Sequence, residues 1–408
     1  MYIKDINNTY EEDMLELLDK ARQIFASREH LTDEEAFEII SRIVIRHFEN
    51  RDMIEYEDFK FLVRKLFFKT RERLNILKPL IDDDDISEIM VNGHDKIYYE
   101  KKGEIYKYNL SFDSNEELEE VMHYIAGSIN REINELNPIV DARLPDGSRV
   151  NGVYKNISIT GPTLTIRKFL EDFISIRQLI ENNTLNEEAA QLLEFLVKNG
   201  YNIFISGGTS SGKTTLINAL SEYIPSNERV IVIEDSAELK LGKLDNLVQL
   251  ECRNSNSAGR GEITMSALIK NSLRMRPDRI LIGEVRGKEV FDMLQAMNTG
   301  HSGMSTGHGN SIEGMLKRLE TMYLMAASMD IRAIRNQIAE AMDIMIHLER
   351  VGSNRRVVEI TEIVDANDDG YELNPLMYMD EKLELNYTGN KLIKRKILKE
   401  KRGTLYGL

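Results

Sequence analysis

Cysteine is almost absent from this chain: Cys252 is the only one among 408 residues, so no intramolecular disulfide can form. A reducing compartment is the simplest setting for such a sequence, and the lone thiol reads as a buried structural group. Long apolar runs are absent too. No stretch approaches the roughly 18 apolar residues that a membrane-crossing helix needs, and residues 1–10 lack the apolar core of a signal peptide. A cytoplasmic chain that reaches a membrane only through partners is expected. Basic charge is in deficit: 53 Lys and Arg against 68 Asp and Glu leave a formal charge of -15, which disfavours broad binding to nucleic acid. A local basic channel is compatible with that total, because net charge averages over a whole surface. Internal repeats and low-complexity tracts are also missing.

Apolar material is ample, at 42% of a chain longer than most single domains, so two or three domains are expected. Residues 1–70 read as charged amphipathic helices. Thr32 and Glu35 form a capping box, after which Phe37, Ile40, Val44 and Phe48 share one helical face, as in a bundle or docking arm. The period then changes. Residues 87–92 (SEIMVN), 96–99 (KIYY) and 163–169 (TLTIRKF) read as strands, Lys101-Lys102-Gly103 and Pro145-Asp146-Gly147 as turns, and 114–130 as a capped helix. These make 71–170 an α+β domain. A short helical connection from Leu170 leads into a helix over 185–199. Beyond it, strands at 201–206, 229–234, 247–252 and 279–283, with later ones near Met304 and Val357, alternate with helices. That alternation predicts an α/β domain with a mostly parallel sheet over 171–365. Residues 366–408 form a C-terminal extension, acidic and then basic (KLIKRKILKEKR), read as solvated strands or a tail without chemistry.

Four blocks carry chemistry. Gly207-Gly208-Thr209-Ser210-Ser211-Gly212-Lys213-Thr214, followed by Thr215, fits G-x-x-x-x-G-K-[ST] directly after an apolar strand and directly before a helix-forming run. Glycines there let backbone N–H groups converge on phosphate oxygens; Lys213 reaches the β and γ phosphates, and Thr214 ligates Mg²⁺. The second block, 279–284 (RILIGE), is an apolar strand ending in Glu284, a candidate ligand to Mg²⁺ through water or a general base. Gly283 stands where an aspartate is expected. Glu234 and Asp235 close a third apolar strand, at the carboxyl edge where open α/β sheets bind ligands, so Glu234 is a candidate for orienting the attacking water. The fourth block, 299–308 (TGHSGMSTGH), reads as a site loop in which either His301 or His308 senses a phosphate.

In this order the four blocks resemble the type II/IV secretion ATPase superfamily, and the likeness is closest to the CpaF/TadA-like branch that serves tight-adherence (Flp-type) pili. It covers nearly the whole chain after about residue 70. The family's phosphate loop resembles GGTGSGKTT, with Ser210 here in place of the central glycine. Leu273 to Arg279 (LRMRPDR) and Gly283-Glu284-Val285-Arg286-Gly287 match its second phosphate motif, and Ser305-Thr306-Gly307-His308-Gly309-Asn310-Ser311 its histidine box. That match selects His308 over His301. Upstream, Ile86 to Gly93 and Asp141 to Asn151 resemble the family's PAS-like domain. The resemblance implies a RecA-like nucleotide domain, a hexameric ring, and arginines of the first domain that approach the nucleotide. By position those are Arg149 and Arg167, with Arg143, Arg260, Arg274 and Arg276 as weaker candidates. A planar, permanently charged fork suits the charge that develops on a transferred phosphoryl group.

The expectation is therefore an ATP hydrolase that uses Mg²⁺ and drives pilus assembly or protein secretion through inner-membrane platform proteins, with no nucleic acid as partner. Two alternatives belong to other classes. A RecA-like nucleic-acid translocase would show a basic or aromatic pore lining, and a nucleotide-regulated scaffold would bind nucleotide with little turnover.

Overall fold

The protein is described by a computed structural model. It describes residues 10–394 apart from 29–30, 50–53, 130, 145, 169–173, 243, 254, 256–258 and 353. The connection expected at Leu170, Pro145 of the second turn, and the basic run from 395 onward lie outside the described residues. The chain divides into two compact units, Met1–Glu171 and Asp172–Leu408.

Among the described residues the first unit opens with the helices Glu11–Ala26, Asp33–Phe48 and Tyr56–Arg71. The middle one starts where the sequence says it should. Thr32 accepts from the Glu35 N–H at 3.2 Å, and Glu35 accepts from the Thr32 N–H at 2.9 Å, so two otherwise orphaned donors are satisfied reciprocally. Ile40, Val44 and Phe48 are buried with Leu17, Leu62 and Leu66. Phe37 departs from the expected face: it is 44% exposed and rests edge-on against Phe67. A ridge of helical residues is wider than the contact that two neighbours can cover, which leaves the flanking position at the rim.

The rest of the unit is a six-stranded antiparallel sheet of β1 (Ile86–Asn92), β2 (Ile97–Lys101), β3 (Glu104–Lys107), β4 (Ile139–Arg143), β5 (Arg149–Val153) and β6 (Thr163–Arg167), in the order β3-β2-β1-β6-β5-β4. Ile89, Val91, Val140, Val150, Leu164 and Ile166 alternate onto a buried face with the helix Asn115–Ser128, whose Ser114 cap accepts from the Glu117 N–H. The other face carries a row of charge. Arg143 lies opposite Arg149, Arg149 opposite Arg167, and Arg167 opposite Glu88 across four adjacent strands.

The second unit is a nine-stranded sheet. Its strands are β7 (Ile203–Gly207), β8 (Val230–Glu234), β9 (Leu247–Glu251), β10 (Arg279–Glu284), β11 (Ser302–His308), β12 (Ile344–Val351), β13 (Asn354–Ala366), β14 (Tyr371–Met379) and β15 (Leu385–Tyr387). Their order is β15-β14-β13-β12-β7-β11-β10-β8-β9; neighbours from β12 through β9 run parallel, and β12 to β15 are antiparallel. Parallel strands covered on both faces read as continuous apolar runs, which is why 203–206 and 230–233 show no alternation in the sequence. Side chains nevertheless alternate between two cores. Ile203, Ile205, Val230, Val232 and Leu281 pack with the helices Glu187–Lys198 and Lys213–Leu220; Phe204, Ile231, Ile233, Ile280 and Ile282 pack with Met265–Ser272, Glu289–Asn298, Ile312–Leu324 and Ile331–Ala341.

The strands after Asp365 pair into this same sheet, and one buried acid pins the chain that follows them. The Glu362 carboxylate is fully buried and accepts from the backbone N–H groups of Ile393 and Lys394 and from the Asn374 amide at 2.6 to 3.1 Å. Among the described residues no helix is long and apolar enough to cross a membrane. Glu362→Ala would remove these hydrogen bonds to a buried carboxylate and is expected to destabilise the protein by about 3 kcal/mol, read as a lower urea midpoint with an unchanged slope.

Candidate functional site

The turn from β7 into the helix Lys213–Leu220 is built by three residues that tolerate what their neighbours force on them. Gly212 has φ 96° and Ser210 has φ 57°, both in the left-handed region. Gly207 is crowded rather than twisted: a Cβ there would lie 2.5 Å from the Leu348 carbonyl oxygen and 2.6 Å from Ser211 Oγ. The loop so formed folds over the Lys213 side chain, which is only 6% exposed. Lys213 Nζ donates to the carbonyls of Gly208 at 2.7 Å and Gly207 at 3.2 Å. Burial pulls this amine below its ordinary pKa and the Arg286 charge adds to the pull, while Glu284 opposes it.

The neighbouring strands deliver the remaining groups to the same edge. β11 runs beside β7 with His308 opposite Gly207. His308 Nδ1 lies 3.3 Å from Lys213 Nζ and its Nε2 3.0 Å from Glu284 Oε1, so the imidazole bridges the loop to the end of β10. Burial, with Lys213, Arg286 and Arg318, keeps the ring below its ordinary pKa, against Glu284. A neutral ring with its proton on Nε2 satisfies both contacts. Glu284 also takes a hydrogen bond from Arg286 Nε at 2.7 Å. Burial alone would raise this carboxyl, but the Arg286 bond and charge, with His308 and Lys213, hold it below its ordinary value. The four side chains form one continuous line of alternating character.

Glu234 ends β8, next to β10. It is buried, and its Oε1 accepts from the N–H groups of Glu238 at 2.8 Å and Leu239 at 3.0 Å. Its stem explains the glycine that stands where an aspartate is expected. A Cβ on Gly283 would come within 3.0 Å of Glu234 Cγ, so any side chain at this strand end would push the Glu234 stem aside by a few tenths of an ångström. The Gly283 carbonyl accepts from Thr306 Oγ1 at 2.8 Å, which ties β10 to β11.

Other candidates lie elsewhere. His301 sits at the opposite end of β11, with its Nδ1 3.2 Å from the Ala296 carbonyl oxygen and from Thr299 Oγ1. Arg274 and Arg276 are exposed in the segment that enters β10, a full strand length from Glu284. Arg149 and Arg167 belong to the charged row of the first unit. Cys252 is half-buried, and burial pushes its thiol up to about 11, so it carries no thiolate near neutral pH. Arg286 and Arg355 are functional candidates that motif reading passed over. Arg286 follows Glu284 by two residues and was within sight; Arg355 donates from Nε to the Ser210 carbonyl at 2.9 Å across 145 positions, and no local pattern announces it.

The residues fit a phosphate ligand. Ser211 Oγ is buried in the loop without a hydrogen-bond partner, and the buried Lys213 ammonium is satisfied by carbonyls that a phosphate oxygen can replace. Among the described residues no group of three or more His, Cys, Asp or Glu could hold a metal by themselves.

Residues 70–377 match the family described as Type II/IV secretion system protein. An uncharacterized protein of Methanocaldococcus jannaschii is 42% identical over 248 residues, which cover 59% of this chain but only 34% of that protein. The conjugal transfer protein TrbB of Rhizobium radiobacter is 31% identical over 326 residues, covering 78% of this chain and 96% of its own length. In fold the chain is similar to the pilus retraction motor PilT solved with bound ADP, with a TM-score of 0.55, 20% identity, and coverage of 72% of this chain and 84% of that one.

Gly283→Ala tests the packing between the two strand ends. Because Glu234 is held in place by two backbone donors, the added methyl is expected to cost about 1 to 2 kcal/mol in urea unfolding while leaving the circular dichroism spectrum unchanged.

Proposed function

This chain belongs to the type II/IV secretion system ATPases, and from that premise we infer how its own residues turn ATP hydrolysis into work on a secretion or pilus machine. The observation that carries the reading is the line from Lys213 through His308 to Glu284 and Arg286, which links the phosphate loop to the second phosphate motif. Gly207, Gly208, Thr209, Ser210, Ser211 and Gly212 cradle the phosphates with backbone N–H groups; Lys213 moves from two loop carbonyls to the β and γ phosphates. Thr214, and Glu284 through water, would hold Mg²⁺, which neutralises charge on the phosphates when bound. Glu284 and Glu234 orient the attacking water and receive its proton. His308, already bonded to both Lys213 and Glu284, senses whether the γ phosphate is there. Loss of that phosphate releases the line and lets strand ends and loops shift, which is the event that becomes movement.

The finer assignment follows the sequence resemblance: a RecA-like domain preceded by a PAS-like domain and a helical segment, in a cytoplasmic hexamer of the CpaF/TadA-like branch. Its load is an inner-membrane platform protein. The acidic total of -15 supports a protein rather than a nucleic acid as that load. In the ring, Arg149 or Arg167 of one copy completes the pocket of another.

Two measurements test this. Glu284→Gln is expected to keep nucleotide affinity within about tenfold while lowering kcat by at least about a hundredfold, because the carboxylate acts on water and metal during the reaction; equal loss of both argues for a folding defect instead. Mixing probes the ring. Copies carrying Lys213→Ala with intact arginines should partly restore activity to copies with Lys213 but with Arg149→Ala or Arg167→Ala, and specific activity should rise with protein concentration. Activity independent of concentration, with monomers in light scattering and no gain on mixing, overturns the ring.

A further inference from the structure

The hairpin of β12 and β13 overhangs the phosphate loop. Leu348 lies opposite Gly207 in the parallel pair, so Glu349, Arg350 and Val351 run past the end of β7, and β13 returns with Arg355 opposite Arg350. Two contacts join this overhang to the loop from outside. The Leu348 carbonyl closes off the space at Gly207, and the Arg355 stem covers Gly212, whose Cβ would lie 3.3 Å from Arg355 Cδ. Arg355 Nε then donates to the Ser210 carbonyl at 2.9 Å.

That hydrogen bond has a directional consequence. In a trans peptide the C=O and the following N–H point opposite ways, so fixing the Ser210 carbonyl toward Arg355 turns the Ser211 N–H away from the hairpin. Ser210 also takes a left-handed φ of 57°, which a residue with a Cβ adopts at a conformational cost, and a charged donor on its carbonyl offsets that cost. Lys213 holds the loop from within and Arg355 from without.

We propose that Arg355 is a positioning residue for nucleotide binding: it locks the peptide between Ser210 and Ser211 so that the Ser211 N–H is preset toward the phosphates. It acts through the loop in its own copy of the chain. The proposal rests on the reading of 207–214 as a nucleotide site, and its test separates the two. Amide hydrogen exchange over 207–212, measured without nucleotide, should speed up in Arg355→Ala relative to the wild type. Equilibrium titration with a fluorescent ADP should show a loss of about tenfold in affinity in Arg355→Ala, with kcat at saturating ATP within about threefold of the wild type. Arg355→Lys, which keeps a single charged donor, and millimolar guanidinium added to Arg355→Ala should each recover part of the affinity. Wild-type ADP affinity together with unchanged exchange in Arg355→Ala overturns the proposal. So does a loss that neither lysine nor guanidinium relieves and that tracks a fall in melting temperature, since that is the mark of general unfolding. A wild-type protein that fails to bind ADP sinks the nucleotide reading instead, and faster exchange over 207–212 in the variant would still stand for the clamp on the loop.

Discussion

The register that sets His308 opposite Gly207 is the constraint on which the site depends. Parallel strands all present their carboxyl ends at one edge, but edge position alone leaves side chains several ångströms apart in an arbitrary phase. Here β7 and β11 end together and β10 ends two residues short of them, and the pairing of Met304 with Ile203 and of Leu281 with Met304 carries that phase through the buried middle of the sheet. A slip of one residue would turn His308 to the other face and break its contacts with both Lys213 and Glu284. Apolar packing on two faces thus fixes a polar line at the edge.

The same line explains how a buried ammonium is tolerated. Removing such a charge from water costs several kcal/mol, and the Glu284 carboxylate reaches Lys213 only through the His308 ring. Two loop carbonyls therefore take the hydrogen bonds, each worth about 1.5 to 3 kcal/mol for a charged donor. A phosphate competes with those carbonyls on favourable terms because it brings charge of the right sign to a dry place. The loop is held shut by the bonds its ligand replaces.

Much of this was legible in the sequence because the chemistry there is contiguous. The phosphate loop needs its glycines and its lysine at fixed spacing on one turn; the capping box needs only residues 32 and 35; and buried parallel strands announce themselves as unbroken apolar runs. His308 and Glu284 were legible as ends of such runs, although choosing His308 over His301 took a family resemblance, since both flank the same strand. Contacts closed by tertiary structure were not legible. Arg355 meets Ser210 only because β12 is longer than β7 and turns back over it, and Gly283 owes its bareness to a side chain on another strand. Likewise, Phe37 shares the helical period of its neighbours and yet lies at the rim, because periodicity gives the direction of a face and not the width of what covers it. The residues after Asp365 carry no motif, and their place in the sheet is set by pairing with β13, which no local pattern encodes.

The first unit poses the converse problem, a feature that apolar packing does not set. Arg143, Arg149, Arg167 and Glu88 occupy directly opposed positions on the face of the sheet away from its core. Arg149 lies directly opposite both Arg143 and Arg167, and like charges opposite each other on neighbouring strands weaken a sheet. Stability alone would favour alternating sign or neutral β-branched residues there. What such a row does supply is a concentration of flat, permanently charged donors, the arrangement that binds multiply charged phosphate oxygens best. Three such donors in line across neighbouring strands, where Arg274 and Arg276 lie scattered on a connecting segment, are what favours Arg149 and Arg167 as the arginines of the proposed ring.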